Sequence, residues 1–458
     1  MGDRATAIQF YNQAVTAIGD KSNTTNATTA YQLFMSATYA DPTYWQAHYQ
    51  VGNNNSDLTH YEAAVASWRR ALECELTDQE RAKVYANLSQ RLHTLGRVTE
   101  ALPIAVQAAN LDPKLGGAWI NLSLIYDTLG NTRDSLAAAE RAMELAPDDT
   151  TAQMVHAFAL MFDGQIAKGL DAFECRYRHA LHTFTQYPYP RWKGEAGKTL
   201  FLVADQGMGD TLSYARFVRR AAARCSFIHM AAHSELTRAF QYAFVDLNNI
   251  DIIPLHPNFR QADYWSTFVS LPFALRLTDD EIRNEPPVRL EPLAMNQSWK
   301  VPDRKFHVGV AWAGSPLNPI NDLRSIPVTD FLELYRVPGI QLYGLQIGDR
   351  AKDIYDKGCA AVIRDLAPYV RDVTDTVSLL ASLDLVICCE SALTHVCAAI
   401  GKKCWIPYSY LGRDYRLGQS GEFRMWMPQA RVFCQKEGET WQPVMQRVAL
   451  ALKEKLDV

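Results

Sequence analysis

No stretch of this chain approaches the roughly 18 uncharged apolar residues that a membrane helix requires. Its start, MGDRATAIQF, also lacks the apolar core of a secretory signal. The expectation is a cytoplasmic protein with no membrane span. An excess of one charge is missing too. A net charge of -4 spread over 458 residues offers no basic footprint for nucleic acid, so no nucleic-acid partner is expected. The nine cysteines are an odd number scattered along the chain, which fits reduced thiols and not a paired disulfide framework.

With 48% hydrophobic and 21% charged residues the composition is that of a globular protein, too long for one ordinary domain. The first 180 residues repeat. Pro113 and Pro147 stand 34 residues apart, each ending a helical stretch, and 34 is the tetratricopeptide period. Trp119, Leu122, Tyr126, Gly130, Ala139, Ala142 and Pro147 supply the large, small, turn and breaker positions of one copy. Tyr85, Leu88, Leu92, Gly96, Ala101, Ala105, Ala108 and Pro113 supply the copy before it. Gly52, Ala64, Trp68, Ala71 and Leu72 fit a third, and Ala30, Phe34, Ala37 and Pro42 a damaged first one. The segment 20–30 reads as a polar loop interrupting that first pair, and Gly164 with Phe173 suggests a final partial copy. Small residues let paired helices approach, and each pair buries its remaining face against its neighbour. The expected product is a solenoid over 1–180 with a groove suited to a peptide or a partner helix.

A Pro- and aromatic-rich connector, read as a linker over 181–198, separates the repeats from a different pattern of short apolar strands alternating with helices. That alternation predicts doubly wound α/β structure. Strands are predicted at 199–204, 226–231, 251–255 and 266–271 in a lobe spanning 199–298. A second lobe, 299–458, has strands predicted at 306–312, 339–345, 360–364, 383–389 and 403–408. In open parallel sheets ligands bind beyond the carboxyl ends of the strands, so the residues there are the site candidates.

The first strand runs into Asp205-Gln206-Gly207-Met208-Gly209-Asp210. Its glycines permit a tight turn, and the following helix offers N–H groups to an anion. The third glycine of a dinucleotide fingerprint and the lysine of a phosphate loop are both absent. Asp210 fits two roles, a helix N-cap or a general base. In the second lobe Gly314 follows a strand, and Asn321, Asp322 and Arg324 sit in a polar loop where a guanidinium can pair with a diphosphate or merely face solvent. The strand ending at 389 leads to Glu390, with Ser391, Thr394 and His395 opening the next helix. A carboxylate before a helix N-terminus can take ribose hydroxyls and orient a pyrophosphate, or Ser391 can simply cap while His395 packs. Cys388, Cys389, His395, Cys397 and Cys404 lie close in sequence, but adjacent strand cysteines face opposite ways and no paired knuckle is present. No metal is expected.

PRWKGE followed by GKTLFLVADQGMGDTLSYARF, and DTVSLLASLDLVICCESALTHVCAAIGKKCWIPY further on, are the segments on which the chain resembles bacterial proteins that fuse tetratricopeptide repeats to a heptosyltransferase-like glycosyltransferase of the GT-B fold. The resemblance implies an α-solenoid followed by two Rossmann-like lobes, the first on the acceptor side and the second holding a nucleotide sugar. It implies that Asp210 is the catalytic base, with Arg324, Glu390, Ser391 and His395 as donor-binding residues alongside Gly209 and Gly314. Glu390 stands where the family usually has Asp, and Arg324 where heptosyltransferases have Lys. Asp414-Tyr415-Arg416 resembles a family Asp-Trp-Arg segment, which adds Asp414 and Arg416 to a weaker set with Asn321, Asp322 and Thr394.

The function so implied is inverting, metal-independent transfer of a sugar from a nucleotide sugar, needing no cofactor, to a hydroxyl of a protein held by the repeats. A secreted or surface protein, such as flagellin, is a guess at that acceptor. The rivals are a scaffold with an inactive transferase module and a transferase acting on a lipid-linked or polysaccharide glycan. A homo-oligomer is left open.

Overall fold

The computed structural model describes residues 2–19, 24–178, 187–255, 260–318, 321–412, 414–417 and 425–457. The chain divides into two compact units, Met1–Asp163 and Gly164–Val458, so the division falls ahead of residue 180.

Helices build the first unit: α1 (Arg4–Gly19), α2 (Thr24–Ala40), α3 (Trp45–Asp57), α4 (Tyr61–Leu72), α5 (Asp78–Thr94), α6 (Val98–Leu111), α7 (Gly116–Leu129), α8 (Thr132–Leu145) and α9 (Thr150–Phe162). They pack in sequential pairs, α1 on α2 through α7 on α8, each pair leaning on the next. The polar loop expected over 20–30 is shorter than that. Helix α2 is already under way at Thr24, and residues 20–23 lie outside the described set. The period is written into the backbone. Gly96, Gly130 and Gly164 each take a positive φ at 34-residue intervals, a conformation that costs glycine little. A second device recurs after Pro42, Pro113 and Pro147. Six residues on, a side chain donates back to the proline carbonyl: His48 Nε2 to Pro42 at 2.9 Å, Trp119 Nε1 to Pro113 at 3.1 Å, Gln153 Nε2 to Pro147 at 2.6 Å. The small residues do what the pattern requires. Ala64, Ala71, Ala101, Ala105, Ala139 and Ala142 are fully buried, and Gly52 lies so close under the Trp68 indole that a Cβ there would collide with Nε1.

The second unit holds two parallel sheets. One has β1 (Thr199–Val203), β2 (Phe227–Ala232), β3 (Ile250–Pro254) and β4 (Tyr264–Thr267) in the order β3-β2-β1-β4. The other has β5 (Phe306–Ala311), β6 (Ile340–Gly344), β7 (Ile363–Asp365), β8 (Leu385–Cys388), β9 (Cys404–Tyr408) and β10 (Ala430–Cys434) in the order β10-β9-β8-β5-β6-β7. All pairings are parallel, and the central strands β1, β5 and β8 are almost wholly buried, as sheets covered on both faces demand.

Two predicted strands are corrected. In 266–271 only the first two residues are extended, because Phe268–Ser270 winds into a 3-10 turn that continues as the helix Leu271–Leu275. In 360–364 the strand begins at Ile363, after another 3-10 turn, Cys359–Ala361. Strand β10 had no counterpart in the sequence reading; at its outer position in the sheet only Ala430 and Phe433 of ARVFC are buried. Of the residues read as a linker, 181–186 lie outside the described set and 187–198 are part of the unit's packing. Trp192 is fully buried, its N–H donates to the Trp265 carbonyl at 2.8 Å, and Tyr187 and Tyr189 cover Phe201 and Val203.

Candidate functional site

Five segments converge at the carboxyl ends of the strands: the turn after β1 with helix α10 (Met208–Tyr214), Ala313-Gly314 after β5, the helical turn Asn321–Arg324, helix α11 (Ala392–Ala399) after β8, and Asp414–Leu417 after β9. Helices α10 and α11, one from each sheet, pack directly on one another.

Asp210 is not the cap of α10. Gly207 occupies the cap position without a side-chain bond, and Asp210 stands third in the helix. From there its Oδ1 accepts from Arg416 Nη1 at 3.0 Å, while no described residue donates to Oδ2. Arg416 is gripped from behind: Asp414 takes its Nε at 2.8 Å and its Nη2 at 2.7 Å, a fork that fixes the guanidinium plane. Burial works against the charge on Arg416, but Asp414 and Asp210 outweigh it and its pKa is raised. Burial likewise pushes the Asp414 carboxyl up, and Arg416 overcomes it to leave the pKa lowered.

His395 and Ser213 join the same group. Ser213 Oγ lies 2.7 Å from His395 Nδ1 and accepts from Arg416 Nη1 at 3.1 Å. Burial first, then the positive Arg416, drives the imidazole pKa down to about 3 against the smaller pull of Asp414, so the ring is neutral at physiological pH. Gly209 makes the approach possible, since a Cβ there would stand 2.7 Å from His395 Cδ2 and 3.2 Å from Nε2.

Arg324 and Glu390 are partners, which the reading of one as a diphosphate ligand and the other as a ribose ligand did not anticipate. Arg324 Nη1 donates to Glu390 Oε2 at 2.8 Å, and the guanidinium lies over Gly314, where a Cβ would stand 2.5 Å from Nη2. Arg324 Nε is buried without a partner among the described residues. Burial raises the Glu390 pKa and Arg324 opposes it. Asn321–Arg324 is a helical turn and not an open loop; Asn321 is buried with Oδ1 unpaired among the described residues, and Asp322 is exposed. Ser391 occupies the cap position of α11 but its side chain makes no cap bond. The hydroxyl of Thr394 is buried and donates to the Ser391 carbonyl at 2.7 Å.

Among the described residues Glu390, His395 and Asp414 place one ligand atom each within 4.8 Å of one another, a spacing a metal ion tolerates. Two of these groups are already engaged, Glu390 with Arg324 and Asp414 with Arg416. The cysteines expected as buried thiols are buried: Cys388, Cys389, Cys397 and Cys404 are free and enclosed.

Sequence reasoning missed Ser213, which shares a helix face with Asp210 at i+3, and a polar cluster beneath the turn. There the fully buried Arg176 donates to Asp205 at 3.2 Å, Glu174 at 2.8 Å, Thr267 at 3.0 Å and Ser270 at 2.7 Å. Burial raises the Asp205 pKa against the pull of Arg176.

Comparison with known proteins places the first unit. Residues 116–149 match the tetratricopeptide repeat, the copy that carries Gly130 and Pro147. The chain is 24% identical over 432 residues to Protein FlbA of Caulobacter vibrioides, covering 80% of this chain and 72% of that one. Among solved structures it is similar to YrrB, titled a TPR protein with an unusual peptide-binding site, at 20% identity and a TM-score of 0.32 over 38% of this chain and 89% of that one. It is also similar to TTC0263, a thermophilic TPR protein of Thermus thermophilus, at 17% identity and a TM-score of 0.32 over 38% and 92% of the two chains. No helix among the described residues is long and apolar enough to cross a membrane.

Proposed function

We propose that the second unit is a GT-B-type glycosyltransferase that moves a sugar from a nucleotide sugar to a hydroxyl of a protein bound by the repeats. The observation that carries this reading is the meeting, at the strand ends of two parallel sheets, of two ion pairs, the partly exposed Asp210 with buried Arg416 and Glu390 with buried Arg324, beside a neutral histidine. Arg416 and Arg324 supply positive charge to a leaving diphosphate, in a setting of low water content where such charge counts most. Asp210 Oδ2 takes the proton of the acceptor hydroxyl as its oxygen bonds to the anomeric carbon and the carbon–phosphate oxygen bond breaks, the diphosphate leaving with the electron pair. Attack opposite the leaving group inverts the anomeric centre. In this proposal Arg324 and Arg416 take the part of a metal in neutralising the diphosphate, and the reaction runs without one.

The tetratricopeptide repeats imply binding of a protein partner. That this partner is the acceptor is part of the proposal, supported by a row of amides: Asn53, Asn87 and Asn121 recur every 34 residues on α3, α5 and α7. Asn87 Nδ2 donates to Asn53 Oδ1 at 3.0 Å and Asn121 Nδ2 to the Ala86 carbonyl at 2.8 Å, which leaves Oδ1 of Asn87 and Asn121 unpaired among the described residues. An extended peptide presents N–H groups at intervals that such acceptors suit.

Thermal stabilisation by a panel of nucleotides and nucleotide sugars tests the reading. A ligand at a hundred times its Kd adds about 2.7 kcal/mol of stability. One base standing out supports the proposal; a folded protein shifted by none of them sinks it.

A further inference from the structure

The cluster around Arg416 contains a hydrogen-bond sum with one low-cost solution. A guanidinium only donates, so the 3.1 Å contact from Arg416 Nη1 uses a lone pair of Ser213 Oγ. The plane of that guanidinium is not free to turn away, because Asp414 holds two of its nitrogens. The second contact of Oγ is to His395 Nδ1 at 2.7 Å. If Nδ1 carried the proton, Oγ would accept twice and its own O–H would have no acceptor among the described residues, on a side chain that is 4% exposed. Leaving a buried donor unmade is the costly alternative. With the hydroxyl donating to Nδ1, both contacts of Ser213 Oγ pair a donor with an acceptor, and the one ring N–H left on His395 is at Nε2, where no described residue accepts it.

We infer that Ser213 is a positioning residue that holds His395 as the tautomer protonated at Nε2, turning the ring into a hydrogen-bond donor to the diphosphate of a bound nucleotide. The ring edge bearing Cδ2 and Nε2 packs against Gly209, one residue before Asp210, which sets Nε2 beside the turn that carries the proposed base. The charge state agrees: burial and Arg416 keep the ring neutral, leaving only the choice between its two tautomers. This inference rests on the proposed donor site for the role of the proton, but the tautomer itself does not depend on any ligand.

The experiment uses the full chain labelled with ¹⁵N at histidine, with the His395 signal assigned by its loss in His395→Gln. A pyridine-type Nδ1 and a pyrrole-type Nε2 are expected in the wild type without ligand. Ser213→Ala removes the hydroxyl donor and is expected to abolish that pattern, and Ser213→Thr to restore it. A pyrrole-type Nδ1 in the wild type, or an unchanged pattern in Ser213→Ala, overturns the inference. Titration with uridine, guanosine, adenosine and cytidine diphosphates then separates it from the reading it rests on. For the base that binds, Ser213→Ala is expected to weaken affinity about tenfold and Ser213→Thr to recover it, as for one hydrogen bond to a charged group. Equal affinity in all three proteins overturns the positioning role, whereas the expected tautomer with no binding by any protein overturns the donor site alone.

Discussion

Asp210 and Arg416 are 206 residues apart in sequence and 3.0 Å apart in space, one on the helix that follows β1 and the other on the segment that follows β9. The ion pair ties the two sheets together and at the same time occupies one carboxylate oxygen, leaving Oδ2 as the one without a donor among the described residues. Asp210→Asn keeps the acceptor for Arg416 in place and removes the base. Nucleotide-sugar binding is expected to be retained, with transfer lowered by about 10²- to 10⁴-fold. Transfer at the wild-type rate would reduce Asp210 to a partner of Arg416.

Arg416→Lys preserves the charge but not the fork. A lysine cannot span both oxygens of Asp414 while reaching Ser213 and Asp210, so its ammonium settles on one of them. The loss is expected mainly in turnover, with a stability cost of about 1–3 kcal/mol for the buried bonds left unmade. Urea denaturation beside steady-state kinetics reads both; an unaltered rate would mean that the plane of the guanidinium is irrelevant to the chemistry.

Asn53→Ala with Asn87→Ala removes the two half-buried members of the amide row and leaves Asn121, 7% exposed, in place. If the row holds the acceptor, KM for a protein acceptor rises several-fold while slow hydrolysis of the nucleotide sugar is unaffected. Equal KM values in the double variant and the wild type would assign the acceptor to another surface.

Acid is expected to loosen the contact between the sheets at a second place. Arg238, on the helix Ser234–Ala243, donates to Asp372 and Asp375 at 2.7 Å each, at the start of the helix Val373–Ala381. Hydrogen bonding from Arg371, then from Arg238, holds the Asp375 carboxyl below the ordinary value of 3.8. A depressed carboxylate contributes stability that is complete above pH 3.8 and is lost as pH falls from there toward the folded value. Arg371 is largely exposed and adds little to this; Arg238 carries the effect. Arg238→Ala is expected to cost about 1–3 kcal/mol at neutral pH and to shrink the drop in urea midpoint between pH 5 and pH 3. An identical acid profile in wild type and variant would place the sensitivity elsewhere.

What the linear chain settles by itself is everything periodic or local. The 34-residue spacing of prolines, glycines and alanines is a local rule repeated, so Gly96, Gly130 and Pro147 announce their turns without knowledge of distant partners. The same holds for the central strands, whose apolar runs have one solution when both faces are covered. Strand β10 and the 3-10 turn at Phe268–Ser270 escaped because an outer strand's pattern is weak and a short apolar run reads alike as strand or turn.

The site divides the same way. That Asp210, Glu390 and His395 stand at strand ends follows from the alternation of strands and helices, which puts residues after each strand at one edge. Which of them touch is a matter of long-range packing. Arg324 meets Glu390 across 66 residues, Ser213 meets His395 across 182, and Arg176 is buried by Asp205 and Ser270 from two other segments. A hydrogen bond is specific to a few tenths of an ångström, and no spacing along the chain encodes a distance that two separate sheets must come together to create.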